Sequence, residues 1–195
     1  MLTQAMVTAE SESLLRVDAR RNRDAVLAAA RKVFAEQGLG APLDAVARRA
    51  GVGRATLYRR FPTREHLVRA IFDDNIAELV RVAAQAPDPS EAYLDTLLAT
   101  VEMLVEDRGF VDLFNHSAAA EEAKIEIASR FLAVVEEPLR RAQEAGRVRA
   151  DLRPDDTLLL LDMVGGALQP NGPGRPPDRA ERAIALLLDA LKPER

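Results

Sequence analysis

The stretch that most constrains this chain is Leu43 to Phe61, LDAVARRAGVGRATLYRRF, where two helical patterns are broken by a tight turn. Leu43, Val46, Ala47 and Ala50 recur at helical spacing and make one apolar face, and Leu57 and Phe61 resume an apolar stripe one turn apart. Between them lies Gly51-Val52-Gly53. Gly51 stands where the first helix must end, and a residue without Cβ enters the left-handed conformation that reverses a chain sharply. Val52 then plugs the angle between the helices. This layout is a helix-turn-helix. Its second helix exposes Arg54, Ala55, Thr56, Tyr58, Arg59 and Arg60, cationic and hydroxyl donors with no acid among them, a face suited to phosphates and base edges.

Charge supports that reading once it is divided along the chain. The formal net charge of −4 argues against a polyanionic partner, but residues 16–81 carry 14 Lys+Arg against 8 Asp+Glu, and the remainder 13 against 23. A basic N-terminal third is coupled to an acidic remainder. Ala and Leu dominate the 195 residues, aromatic residues are 4% and Trp is absent, which favours helices over sheets. With no cysteine, disulfide frameworks, thiolate zinc sites and cysteine nucleophiles are excluded together. His66 and His116 are the only histidines, so neither a histidine metal centre nor any other cofactor site is expected.

Helices flank the motif on both sides. Val26, Ala29, Ala30, Val33 and Phe34 form the stripe of a first helix from about Ala19 to Gln37, closed by Gly38, with Arg20, Arg21 and Arg23 crowding its start. Residues 1–18 read as a flexible arm. Pro62-Thr63 breaks the chain after Phe61, with Thr63 as N-cap of a helix reaching about Ala84. Further helices follow Pro87-Asp88-Pro89, over about Phe110 to Ala119, and from Glu121 to about Ala145 with Pro138 inside it. The last two, PDDTLLLLDMVGGAL and DRAERAIALLLDALK, flank the turn-rich loop 169–177 and are apolar enough to want partners on more than one side. The expected fold is all-α with about nine helices.

The segment AGVGRATLYRRFPTREHLVRAIF resembles the core of the DNA-binding domain of the tetracycline-repressor (TetR) family, with Ala50-Gly51-Val52, Thr56-Leu57-Tyr58, Phe61 and Arg64 in register. Gly53 stands where the family usually has Ser, Arg60 where His is common, and Pro42 where a capping Thr is usual. The resemblance implies a three-helix DNA-binding domain over 19–75 and a helical effector-binding and dimerisation domain over 76–195. It implies a homodimer on a palindromic operator in double-stranded DNA, with the helices at about 154–168 and 178–191 forming a four-helix interface. A small apolar effector would release the DNA. Thr56 and Tyr58 hold positions that commonly contact DNA in the family, and Arg64 is assigned to the DNA backbone. Arg54 and Arg59 either read guanine bidentately or grip phosphate. Effector candidates are Met103, Phe110, Phe114, His116 and Phe131, an apolar set with one polar anchor whose alternative is plain core.

Other classes fare worse. Gly51-Val52-Gly53 does not begin a dinucleotide fingerprint, because a helix precedes it and Thr56 occupies the third glycine's place. Glu121-Glu122, Glu136-Glu137 and Asp155-Asp156 suit helix starts and solvated faces, so an enzyme is not expected. An architectural DNA-binding protein without an effector is the remaining alternative. The N-terminus lacks a signal-peptide pattern, and the apolar run Leu158 to Leu168 is interrupted by Asp162 and falls below the roughly 20 residues that span a bilayer. A cytoplasmic protein with no membrane partner is expected.

Overall fold

The computed structural model describes residues 2–38, 40–107, 121–168 and 179–193. Among them are eight helices and no strand, as an all-α chain requires. They are α1 (Leu2–Gln37), α2 (Leu43–Ala50), α3 (Arg54–Arg60), α4 (Arg64–Gln85), α5 (Ala92–Glu106), α6 (Glu121–Glu144), α7 (Pro154–Leu168) and α8 (Arg179–Ala190). The helix expected over about Phe110 to Ala119 and the loop 169–177 lie outside the described residues. The chain divides into two compact units, Met1–Ile71 and Phe72–Arg195. The division falls inside α4, one turn before the expected boundary at residue 75.

The segment read as an arm, residues 2–18, is helix continuous with the rest of α1. No Gly or Pro precedes Gly38, and a helix anchored at its C-terminal half propagates at one hydrogen bond per residue. The arm lacks an apolar stripe, the signal on which the sequence reading depended. Arg20, Arg21 and Arg23 therefore lie in mid-helix, where the dipole penalty of a helix start is absent.

In the first unit, Val26, Leu27, Ala30, Val33 and Phe34 of α1 pack a core with Leu43, Val46 and Ala47 of α2, Leu57, Phe61, and Leu67 and Ile71 of α4. The turn between α2 and α3 closes through the backbone. Gly51 has φ 68° and ψ 23°. Its N–H donates to the Arg48 carbonyl at 3.3 Å, and the Val52 N–H donates to the Ala47 carbonyl at 3.1 Å. This pair of bonds is a Schellman closure, and half-buried Val52 sits in the angle it makes. Pro42 caps α2 without a side-chain bond, its carbonyl accepting the Ala45 N–H at 2.9 Å.

The second unit is built on Leu79, Tyr93, Leu97, Val101, Phe131, Val135, Leu139, Val164, Leu187 and Leu191. Its buried threonines and tyrosine are bonded within the unit. Thr96 and Thr100 donate to the carbonyls of Ala92 and Thr96 at 2.7 Å, and the Tyr93 hydroxyl meets Thr157 Oγ1 at 3.0 Å. Burial raises the Tyr93 phenol above its ordinary value, and the Thr157 bond opposes that shift. Arg179 donates from Nη2 to the Gly166 carbonyl at 3.1 Å, so the start of α8 closes the last turn of α7.

A Cβ on Gly51 would meet nothing within 4 Å, so the cost of Gly51→Ala is conformational alone. It should destabilise by about 1–2 kcal/mol in urea unfolding, the penalty of a left-handed non-glycine residue. Gly40→Ala, with open space and no positive φ, is the control and should not destabilise.

Candidate nucleic-acid interface

Seven residues make α3, and only Leu57 among them is buried. Its N-cap, Gly53, has no side chain to offer, so the backbone closes the turn, Thr56 and Leu57 N–H both donating to the Gly53 carbonyl at 3.0 Å. Burying Leu57 and, four residues on, Phe61 turns the rest of the helix outward. Arg54, Tyr58, Arg59 and Arg60 are exposed, and Thr56 is half-buried. Thr56, Arg59 and Arg60 border a cleft of about 410 Å³ whose other wall is Asp18, Ala19 and Asn22 of α1. Arg54, Tyr58, Arg59 and Arg60 are thus presented around the exposed circumference of one short helix.

An acidic residue meets that face from α2. Asp44, in the first turn of α2, accepts from the Tyr58 hydroxyl at 3.3 Å and forms an ion pair with Arg54, whose Nε lies 2.9 Å away, both through Oδ1. Reading α3 alone missed it. The available signal was an acid in the first turn of the preceding helix, facing across the angle of the motif. Two further arginines are committed within the unit: Arg60 Nη1 donates to the Ala19 carbonyl at 3.1 Å, and Arg49 pairs with Glu36 at 2.5 Å.

Arg64 stands at the head of α4, where the sequence places it, but its Nη2 donates to the carbonyls of Gly40 and Ala41 at 3.3 and 3.0 Å. It braces the loop between α1 and α2. Its Nε is buried without a hydrogen-bond partner. Thr63, expected as N-cap, brings its hydroxyl to His66 Nδ1 at 2.9 Å. A hydrogen bond from Thr63 is also the chief cause holding the Glu65 carboxyl below its ordinary range.

Two of the effector candidates lie among the described residues. Phe131 is 5% exposed inside the core of the second unit, and Met103 packs, partly buried, against that core. Phe110, Phe114 and His116 lie outside the described residues. The second unit does open a surface cleft of about 470 Å³, lined by Val80, Ala83, Ala84, Val134, Glu137 and Pro138 among others. Hydrogen bonds from Arg140 and then Arg141 hold the Glu137 carboxyl down at about 2, so it is ionised beside that cleft at neutral pH. Among the described residues, no group of three or more His, Cys, Asp or Glu is placed to hold a metal ion, and no helix is long and apolar enough to cross a membrane.

Residues 26–71 match the family model for bacterial regulatory proteins of the tetR family, and residues 88–193 match that for the SbtR-like transcriptional regulator C-terminal domain. The second match alone spans more than half of the chain. The chain belongs to the TetR family of transcriptional regulators. The HTH-type transcriptional repressor LfrR of Mycolicibacterium smegmatis is 34% identical over 111 residues, 57% of this chain and 58% of that protein. An uncharacterized HTH-type transcriptional regulator of Mycobacterium tuberculosis is 31% identical over 127 residues, 61% of this chain and 65% of that one. The alignments thus span under two thirds of these relatives' lengths. Among solved structures, a TetR transcription regulatory protein from Mycobacterium vanbaalenii is 36% identical with a TM-score of 0.67, covering 91% of this chain and 99% of that one. A TetR transcriptional regulator from Streptomyces coelicolor is 33% identical with a TM-score of 0.63, covering 89% and 99%. Proteins of this family are DNA-binding regulators of transcription.

Arg64→Ala removes a charged donor from two loop carbonyls. It should destabilise the protein by about 1 kcal/mol or more in chemical denaturation. Arg59→Ala, on the exposed face, should change stability by less than about 0.5 kcal/mol.

Proposed function

We propose that this TetR-family protein is a homodimeric, cytoplasmic repressor, not an enzyme, that binds a palindromic operator and is released by a small apolar effector. The observation that carries the reading is the donor face of α3, with Arg54, Tyr58 and Arg59 turned outward by the burial of Leu57 and Phe61. Tyr58 gives its hydroxyl to a phosphate in exchange for Asp44, Thr56 and Arg59 hold the adjoining backbone, and Arg64 adds its charge while its Nη2 keeps the loop. Repression is favoured by the likeness to LfrR, a transcriptional repressor.

Dimerisation is supported by an apolar stripe that the described residues leave open. Leu159 and Met163 on α7 are 59% and 65% exposed, Gly166 continues their line one turn on, and Leu186 of α8 is 51% exposed. Cβ atoms on Gly165 and Gly166 would meet nothing within 4 Å. Nothing among the described residues therefore asks for two glycines that cost the helix roughly 1 kcal/mol each. A partner helix closing on them through 154–168 and 178–191 supplies the reason. Two such subunits place their recognition helices about one turn of DNA apart, some 34 Å.

The effector belongs to the second unit, where Met103 and Phe131 border one apolar core, with Phe110, Phe114 and His116 as the other candidate contacts. Helix α4 passes without a break from the DNA-binding unit into this one, which gives ligand and DNA a shared element. A preference of about 1.4 kcal/mol for the state that no longer fits the operator lowers affinity tenfold.

Selection of the purified protein against a random duplex pool at near-physiological salt should recover an inverted repeat. Recovery of nothing above background from a folded dimer overturns the reading. Met163→Asp should turn the dimer into a monomer in sedimentation, with helical content unchanged, and weaken binding to that repeat by at least about tenfold, because two half-sites no longer bind as one ligand. A variant that stays dimeric places the interface elsewhere.

A further inference from the structure

We propose that the cleft between α4 and α6 in the second unit is a ligand site in its own right, separate from Met103 and Phe131, and that it takes a medium-chain aliphatic carboxylate. As a second input to α4 it rests on the repressor reading; as a binding site it does not. Val80 and Ala84 of α4 make one wall, and Ala133 and Val134 of α6 the other. No aromatic ring is among the described residues that line it, so it offers apolar contact without a stacking surface. With alanines on both walls it keeps a volume of about 470 Å³, in the usual range for small-molecule sites. Val80 is 50% exposed there, apolar surface that a hydrocarbon chain would cover.

The charges at the rim are not equivalent. Glu137 Oε1 accepts from Arg140 Nη2 and Arg141 Nε, both at 2.7 Å, and Oε2 accepts from Arg140 Nε at 2.8 Å. That carboxylate is already engaged on both oxygens and offers little to an incoming cation. Arg140 also donates from Nη1 to Glu144, which commits all three of its nitrogens. Arg141 lines the cleft, and its hydrogen bonding among the described residues is confined to Nε. Its two terminal nitrogens remain, and their parallel donors match the two oxygens of a carboxylate.

The ligand needs both its ends. The Arg141 side chain is 51% exposed, and an exposed cation holds a small anion weakly in water. Burial of an aliphatic chain between the walls supplies the rest. A neutral amide forgoes the charge, and an amine meets Arg141 with like charge. Because α4 is one wall and continues unbroken from the DNA-binding unit, occupancy bears on the element that both units share.

The test titrates the full chain, free of DNA, with octanoate, octanamide, octylamine and acetate by calorimetry. Octanoate should bind at least about tenfold more tightly than octanamide or octylamine, the worth of a charge-assisted pair, and acetate should not bind measurably. Arg141→Gln should weaken octanoate about tenfold and leave octanamide within about twofold. Ala133 is exposed, so Ala133→Leu fills the cleft without entering the core and should abolish binding of both, with helical content unchanged. Octanoate should also weaken binding to the selected inverted repeat by about threefold or more, and lose that effect in Ala133→Leu. If octylamine binds most tightly and Glu137→Gln abolishes it, the cleft is a cation site and the proposal falls. If octanoate binds wild type and Arg141→Gln alike, Arg141 does not select it; if it binds Ala133→Leu unchanged, or does not bind the wild type, the cleft is not its site. Binding that leaves operator affinity unchanged overturns the input to α4. A folded dimer that selects no repeat overturns the repressor reading instead, and the titration without DNA stands apart from that result.

Discussion

The recognition helix hangs from one side chain. Seven residues are too few to hold a helix in water, where nucleation costs more than so short a run of hydrogen bonds returns. Leu57 is the residue α3 gives to the core, Phe61 fixes its exit, and the left-handed Gly51 fixes its approach. The direction in which Arg54 and Tyr58 point is therefore a property of the packing beneath them. A chain with the same exposed residues and a poorly seated Leu57 would have the chemistry without the aim.

Periodicity made the motif legible because each of its parts is local. A glycine at a helix end, two apolar residues one turn apart and a run of donors between them can all be seen within twenty residues of sequence. Leu27, fully buried in the first unit, sits beside the stripe of Val26, Ala30, Val33 and Phe34, whose helical spacing is complete without it. Asp44 and Arg64 were opaque for a different reason. One joins α2 to α3 and the other joins the head of α4 to the loop after α1, and no spacing rule within a single helix reports a bond between two. Arg64 matches the family motif and still spends one nitrogen on the fold.

The second unit was harder to read because its helices are apolar on several faces at once. Phe131 has the composition of a pocket residue and the burial of a core residue, and sequence pattern does not separate the two. The same ambiguity runs the other way on α7, where Leu159 and Met163 read as core by composition and are exposed within the chain. What sorted them was the side of the helix left over after Thr157 and Val164 had been buried.

The ion pair between Arg54 and Asp44 also bears on what salt does to this protein. A cation already neutralised by its own carboxylate displaces few counterions from DNA when it arrives, whereas an uncompensated one releases them and makes affinity fall steeply with ionic strength. With Asp44 beside it, Arg54 adds less to that dependence than a bare cation would, and the steepness of the fall is set by the other basic groups of the first unit.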